Sequence, residues 1–312
     1  MNKKVVVLGG GTGMSTLLRG LKKFPVDITA IVSVCDDGAS TGRLRKEFDI
    51  IAVGDIRKVI IALSETEPLF EKLLNYRFKG TSDLSGHPVG NLLLTALSDI
   101  SGNISEGIET IGKVLKLKGK VLPLTDDRVT LMAKMKDGNI IEGEHNITES
   151  HNKIEEVYYK KNPKINDEVL RAIREADLII LSMGSLYTSV IPNLLSNEML
   201  EEIDNSKAKI MYVCNMMTQP GETDGYKVSD HIDTLNHYLG NKKISVVIAN
   251  KGSIDKDILK NYETQEQKDQ VILDRKNIKN VKIIASNYVT IENNVIRHDV
   301  DKVSLDIFGY LL

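Results

Sequence analysis

The segment Asp36-Asp37-Gly38-Ala39-Ser40-Thr41-Gly42-Arg43-Leu44-Arg45 brings carboxylates, hydroxyls and guanidinium groups into one short stretch. Upstream, Gly9-Gly10-Gly11-Thr12-Gly13 offers only backbone and a hydroxyl. The two stretches suit two parts of one task. A glycine turn lets backbone N–H groups approach a phosphate, and an acid after the next strand meets a ribose hydroxyl in dinucleotide-binding units. Asp36 stands where that acid is expected, which favours a nucleotide and keeps NAD among the candidate ligands. Arg43 and Arg45 add phosphate clamps through charge-assisted hydrogen bonds. Ser40 and Thr41 can open a helix beside the same anion. The Asp36–Asp37 pair can hold Mg²⁺ between protein and phosphate oxygens.

Each feature also has a plainer reading. Met14 takes the third glycine position of GxGxxG, and no GK[ST] ending follows, so the turn by itself could be only a tight strand-to-helix connection. Ser40 or Thr41 could be a simple N-cap with solvated arginines, and paired aspartates commonly face solvent. The case rests on recurrence. Gly184-Ser185-Leu186-Tyr187-Thr188-Ser189, the stretch Asn215 to Thr223 with Thr218 and Gln219, and Asn250-Lys251-Gly252-Ser253 each follow an apolar run and are rich in glycine, hydroxyl or amide groups. In open parallel sheets ligands lie beyond the carboxyl ends of the strands, where such loops converge.

The runs that position these loops are Lys4–Leu8, Ile28–Cys35, Leu178–Met183, Ile210–Cys214, Ile244–Ala249 and Val281–Ala285. They lack alternation, as expected of strands covered on both faces. Helical patterns over Met14–Lys23, Ile56–Ser64, Asn91–Ile100, Ile104–Leu117 and Asp167–Ala176 separate them. The order implies an α/β, Rossmann-like doubly wound, mostly parallel sheet. Lys120–Glu144 breaks the rhythm with two alternating runs joined across Asp137-Gly138, a hairpin signal, and Ile154–Tyr159 adds another antiparallel strand. The whole chain, 1–312, is read as one unit with a small antiparallel β excursion at about 120–160; a second domain from about 120 is the alternative. Asn261–Asn280 is polar and reads as a surface helix or loop.

Gly54-Asp55-Ile56-Arg57 sets an acid and a base at a helix start, where Asp55 can be an N-cap or a ligand-side acid. Ser85 to Asn91 forms another polar turn into a helix. Its His87 could contact ligand or act as an acid/base, but a histidine with no partner visible in the sequence is usually structural. The remaining histidines lack zinc spacing, and Ser185 is not in a GxSxG elbow. With 41% hydrophobic and 27% charged residues the composition is that of a globular chain, and a net charge of −2 argues against nucleic acid as a partner. The two cysteines cannot build a disulfide framework. There is neither a signal peptide nor a membrane span, so a cytoplasmic location is expected.

Together GGGTG, DDGASTGRLR, GDIR, GHPVGNLLL, GSLYTS and CNMMTQPGETDGY resemble, in order and across most of the chain, the YvcK/CofD-like family. The match is closer to the YvcK branch, the gluconeogenesis-factor or UDP-sugar-binding regulators, than to the 2-phospho-L-lactate transferases. The resemblance implies a nucleotide ligand of the UDP-N-acetylglucosamine type across Gly10, Gly11, Thr12, Gly13, the Asp36–Arg43 loop and Gly184–Ser189. Asn91, Asn215, Thr218 and Gln219 join the expected ligand side, and Tyr262 and Arg297 look like C-terminal ligand-side positions. It further implies regulation of carbon flow into cell-envelope synthesis and of cell shape, with a regulatory protein partner and a homo-oligomer. Met183 replaces the family's usual proline before Gly-Ser, and Ala52-Val53 replaces a proline-rich approach to GDIR. The regulator reading needs no catalytic residue and no cofactor. In the transferase alternative Asp36, Asp37 and Asp55 position Mg²⁺ and the acceptor hydroxyl, while Arg43 stabilises phosphate charge. An NAD-dependent dehydrogenase is the second alternative.

Overall fold

Apolar runs without alternation become strands buried on both faces. The computed structural model describes residues 2–65, 68–292 and 295–312. The first unit is β1 (Lys3–Gly9), α1 (Gly11–Leu21) and β2 (Val26–Val32). Helices α2 (Ala39–Phe48), α3 (Gly54–Leu63), α4 (Pro68–Asn75), α5 (Val89–Ser101) and α6 (Ile104–Val114) lead to β3 (Lys120–Pro123). An antiparallel layer follows: β4 (Leu131–Met135), β5 (Ile140–Glu142), α7 (Glu144–Ser150) and β6 (Ile154–Tyr159). Strand–helix alternation then resumes with α8 (Asp167–Glu175), β7 (Leu178–Leu181), α9 (Asn197–Asn205), β8 (Lys209–Val213), α10 (Val228–Tyr238) and β9 (Ile244–Asn250). The chain ends with α11 (Lys256–Asn261), β10 (Lys282–Ser286), β11 (Val289–Glu292), β12 (Val295–His298) and α12 (Val300–Leu311).

Seven strands form one parallel sheet in the order β10-β9-β8-β7-β1-β2-β3. The fold is therefore the expected doubly wound α/β type. Its chain works outward from β1 in one direction, returns, and works outward from β7 in the other. Between β1 and β7 lies the topological switch point, where loops from adjacent strands part and leave a crevice. Val5, Val7, Leu8, Ile31, Ile180 and Tyr212 fill the sheet's core, and α1 buries Met14, Leu17, Leu18 and Leu21 on one face. That is the helical stripe its sequence spacing predicts.

The 120–144 segment differs from its expected form in one respect. Lys120–Pro123 pairs in parallel with β2 as the sheet edge and takes no part in the hairpin. The hairpin across Asp137-Gly138 joins β4 to β5, with Gly138 at φ +89° and Asn139 N–H donating to Asp137 Oδ1 at 3.0 Å. Ile154–Tyr159 pairs antiparallel with β4. Alternation identified the strand character of 120–123 but not its partner, because pairing is a tertiary choice.

Candidate functional site

Carboxyl-end loops of the strands meet at the switch point. Gly9 ends β1, and Gly11, at φ +66°, starts α1 in the left-handed region that glycine tolerates. The Asp55 carboxylate, from the first turn of α3, lies over this turn. A Cβ on Gly10 would stand 2.8 Å from Asp55 Oδ2 and 3.7 Å from Ser189 Cβ. Asp55 also accepts from the Gly11 backbone and from Lys58 Nζ at 2.9 Å. A protein acid thus occupies the donor position where a phosphate rests in a simple dinucleotide turn.

Gly13 packs directly on the β7 loop, where a Cβ would collide with the Met183 carbonyl oxygen. Gly13→Ala is accordingly expected to destabilise the protein by about 2 kcal/mol, since the obstruction is backbone and cannot swing away. A thermal melt unchanged by the substitution would show that α1 shifts freely from that loop. Thr12, by contrast, is exposed at the start of α1, where its carbonyl accepts from Ser15 Oγ at 2.9 Å.

The paired acids of the second loop diverge. Asp36 turns inward: its Oδ1 accepts from Gly38 N–H at 3.0 Å, and a Cβ on Gly54 would lie 2.8 Å from Asp36 Oδ2 and 2.7 Å from Thr41 Oγ1. Asp37 instead accepts from His145 N–H at 2.9 Å, at the start of α7. Asp36 and Asp55 repel one another electrostatically, and Glu144 from the antiparallel layer joins them. Burial, with the charges of Asp36, Asp55 and Asp37, pushes Glu144 up to about 7, while a hydrogen bond from Thr188 opposes the shift. Burial raises Asp55 as well, Lys58 opposing and Asp36 adding to it. Among the described residues no group of three or more His, Cys, Asp or Glu side chains is placed to hold a metal ion by itself. Asp36 and Asp55 fit a different arrangement, in which one or two carboxylates bind Mg²⁺ and the ligand's phosphates complete its shell.

The arginines of this loop also part company. Arg43 Nη2 donates to the Ser85 carbonyl at 2.9 Å, holding the 85–87 turn at the rim. Arg45 is buried, its guanidinium donating to the carbonyls of Cys35 at 3.3 Å, Asp36 at 2.9 Å and Val129 at 2.5 Å. It ties the loop after β2 to the start of the antiparallel layer. Ser40 forms a buried relay: Asn91 Nδ2 donates to Ser40 Oγ at 3.1 Å, and Ser40 lies 2.8 Å from His87 Nδ1. With Asn91 donating, the hydroxyl proton is free to go to Nδ1, which sets the neutral Nε2–H tautomer. Burial, then Arg43, lowers the His87 pKa in keeping with that state. Asn91 Oδ1 accepts from Arg57 Nε at 2.9 Å, and Arg57 also binds Asn75. His87 thus has the partner that sequence did not reveal.

On the opposite wall one buried carboxylate gathers two loops. Glu222 accepts from Ser185 Oγ at 2.8 and 2.6 Å, from Tyr187 N–H at 3.1 Å and from Gln219 Nε2 at 2.7 Å. Burial raises its pKa against those hydrogen bonds. Ser185 lies 2.6 Å from Thr188, and Asn215 Nδ2 donates to the Gly184 carbonyl at 2.8 Å. A Cβ on Gly184 would approach Ser189 Cβ at 3.1 Å and the Gly10 carbonyl at 3.4 Å. Gly10, Asp55, Gly184, Ser189 and Asn215 accordingly adjoin, while Ser185, Thr188, Gln219 and Glu222 brace them from behind.

Thr218 lies further out. Its N–H donates to the Asp269 carbonyl at 2.8 Å, and its Oγ1 accepts from Asp269 N–H at 2.7 Å. Tyr262 is buried with Met216, Ile254 and Ile296, and its hydroxyl accepts from Ile296 N–H at 3.0 Å. Arg297 is exposed on β12, paired with Thr290. These residues form the rim beyond β8 and β9 and, among the described residues, make no hydrogen bond to the glycine turn. The polar 261–280 stretch contains a π-helical turn at Tyr262–Glu266 and a short 3₁₀ turn at Arg275–Asn277. Cys35 and Cys214 are buried, their thiols pushed up by burial to about 11 and about 12, which makes both poor nucleophiles at neutral pH.

Sequence reasoning missed Glu144, Glu222 and Arg57 as organising groups. Glu222 had a signal, since it falls within a strand-end loop; Glu144 had none, because its layer looks peripheral in the sequence.

Fold and site define an α/β protein of the doubly wound class with a polar, acid-floored crevice at the switch point. The family model described as 2-phospho-L-lactate transferase CofD matches residues 5–289. The chain belongs to that CofD family. It is 47% identical over 305 residues to the gluconeogenesis factor of Halalkalibacterium halodurans, covering 97% of this chain and 94% of that one. It is 45% identical to the gluconeogenesis factor of Bacillus subtilis, covering 96% of each. A crystal structure of a Bacillus halodurans protein superposes with a TM-score of 0.95 at 46% identity, covering 99% of this chain and all of that one. No helix among the described residues is long and apolar enough to cross a membrane.

Proposed function

We propose that this protein binds a nucleotide sugar of the UDP-N-acetylglucosamine type and acts as a regulator of the gluconeogenesis-factor kind, linking carbon metabolism to cell-envelope synthesis and cell shape. The observation that carries the reading is the convergence of the Gly9–Gly13 turn, the Asp36–Arg43 loop and the Gly184–Ser189 loop at the switch point. Such crevices take nucleotides in open α/β sheets. The names of the relatives support the gluconeogenesis-factor assignment. An acidic floor of Asp36 and Asp55 is complemented by a diphosphate that brings a divalent cation. Calorimetry with UDP-N-acetylglucosamine is expected to show saturable binding that strengthens when Mg²⁺ is added and weakens in Asp36→Asn. No heat at millimolar ligand, with or without Mg²⁺, would overturn the reading.

The electrostatic coupling of Asp36 and Asp55 also favours a second reading, a Mg²⁺-dependent transferase of the 2-phospho-L-lactate type named by the family description. Bound there, Mg²⁺ would supply charge neutralisation at the transferring phosphate. Glu144 and Asp55, with raised pKa values, are the groups of this floor suited to hold an acceptor's proton. Product formation from a deazaflavin precursor, followed by mass spectrometry, separates the two readings. The NAD-dependent dehydrogenase reading draws less support, since Asp55 covers the donors of the first turn of α1.

A further inference from the structure

Away from the switch point, at the amino ends of β1, β2 and β3, the surface holds a cavity of about 810 Å³. That volume falls within the range of small-molecule sites. Its cations are Lys4, Lys22, Lys23, Lys118, Lys120 and Arg171. Its lining carboxylates are Asp27, Glu168 and Glu175, and Asp301 and Glu65 reach its lysines from outside the lining, so these cations exceed the carboxylates by one. Partners differ among the cations. Lys4 pairs with Glu175 at 2.7 Å, Arg171 with Glu168 at 3.0 Å, Lys23 with Asp301 at 2.6 Å and Lys118 with Glu65 at 3.4 Å. Lys22 donates to the Ser64 carbonyl at 2.7 Å, and among the described residues neither it nor Lys120 has a carboxylate within ion-pair distance.

Between these charges lie partly exposed apolar side chains, Phe24, Leu117, Leu122 and Ala172. An apolar floor beneath a cationic rim selects an amphiphilic anion over a bare ion, because the floor rewards burial of a carbon body while the rim neutralises its charged end. The position is distinct from the crevice. β1 spans 7 residues, about 20 Å of strand, with the cavity at one end and the glycine turn at the other. α1 and α3 bridge the same gap: Lys22 caps α1 and reaches Ser64 at the end of α3, and Lys118 N–H donates to the Leu63 carbonyl.

We propose that this cavity is a second binding site, taking a small metabolite in which a phosphate or carboxylate group is joined to an apolar or sugar body. The assignment does not rest on the nucleotide-sugar reading of the crevice.

The test uses the full chain and 8-anilino-1-naphthalenesulfonate, a fluorescent anion with an apolar body. Saturable binding of one dye per chain is expected, weakened about tenfold in Lys120→Glu, the order of one reversed charge near a surface, and less in Lys120→Gln. Asp55→Asn, at the far crevice, is expected to leave it unchanged. Lys120 is exposed and bonded to nothing through its side chain among the described residues, so both variants are expected to fold; circular dichroism checks this. Displacement of the dye by glucose 6-phosphate and not by glucuronate assigns a phosphorylated ligand, the reverse assigns a carboxylate, and displacement by both assigns a site that takes either anionic group on a sugar body. Dye binding that is non-saturable, that is equal in both Lys120 variants and the parent, or that neither anion displaces overturns the proposal.

Discussion

Glu144→Gln is expected to stabilise the protein by up to about 3 kcal/mol at pH 8 while changing little at pH 4.5. The Glu144 carboxyl has its pKa raised to about 7 by burial and by Asp36, Asp55 and Asp37. An unfolded chain would hold that group near the ordinary glutamate value of 4.5. Between those values the folded state binds more protons than the unfolded one, so this group's contribution falls as pH rises and levels off above about 7. The shift converts to about 3 kcal/mol at 1.36 kcal/mol per pH unit. Glutamine keeps an oxygen for Thr188 and removes the titration. Urea unfolding measured from pH 5 to pH 8 is the check. Parallel stability curves for parent and variant would show that Glu144 is solvated and uncoupled from the acid floor. Asp55 and Glu222, also raised by burial, should leave a residual slope of the same sign in the variant. A ligand that carries Mg²⁺ to Asp36 and Asp55 should flatten the parent's slope, because the cation favours the ionised carboxylates.

Glu222→Ala carries the other large expectation, a loss of about 3 kcal/mol and weaker nucleotide-sugar binding. Removing the carboxylate leaves Ser185, the Tyr187 N–H and Gln219 without their acceptor in a buried setting. Unsatisfied buried donors cost about 1–3 kcal/mol each, and relief of the buried charge offsets part of that sum. For a chain of this size the loss lowers Tm by about 5 °C. Glu222→Gln retains one acceptor and is expected to fall between parent and alanine variant. The effect on binding follows from position. Among the described residues Glu222 makes no hydrogen bond to the glycine turn, yet it joins the Gly184–Ser189 loop to the 219–223 loop. Calorimetry with UDP-N-acetylglucosamine should show the affinity falling together with stability. A stable alanine variant with parental affinity would mean that the two loops hold their places without this brace.

These expectations concern two carboxylates to which the sequence assigned no role, whereas others it singled out have structural duties. Arg45 looks like a phosphate clamp beside Arg43, but its donors are used on three backbone carbonyls. Asp37 looks like half of a metal pair, but it accepts from the backbone of α7. Neighbouring residues leave a loop in different directions, and side-chain type alone does not say which of them faces the crevice. Tyr262 is likewise taken up by the Ile296 backbone. Its place in the resemblance marks the rim, while its buried ring packs a separate small core.

The sequence by itself determined the parallel sheet, the glycine turns and the end of the sheet at which the polar loops gather. Those features are local. Strands covered on both faces must be continuously apolar, and right-handed crossovers place successive loops on one edge. What only the tertiary structure decided is which side chains meet there. Asp37 and His145 lie 108 residues apart, Ser40 and Asn91 51, and Ser185 and Glu222 37. No periodicity records such distances. The antiparallel layer, peripheral as a pattern, brings Glu144 over the loop of Asp36, because Asp37 and Arg45 fasten that layer to the carboxyl end of β2. The acid floor of the crevice is thus assembled by long-range hydrogen bonds between elements whose individual sequences call for nothing more than a helix start or a turn.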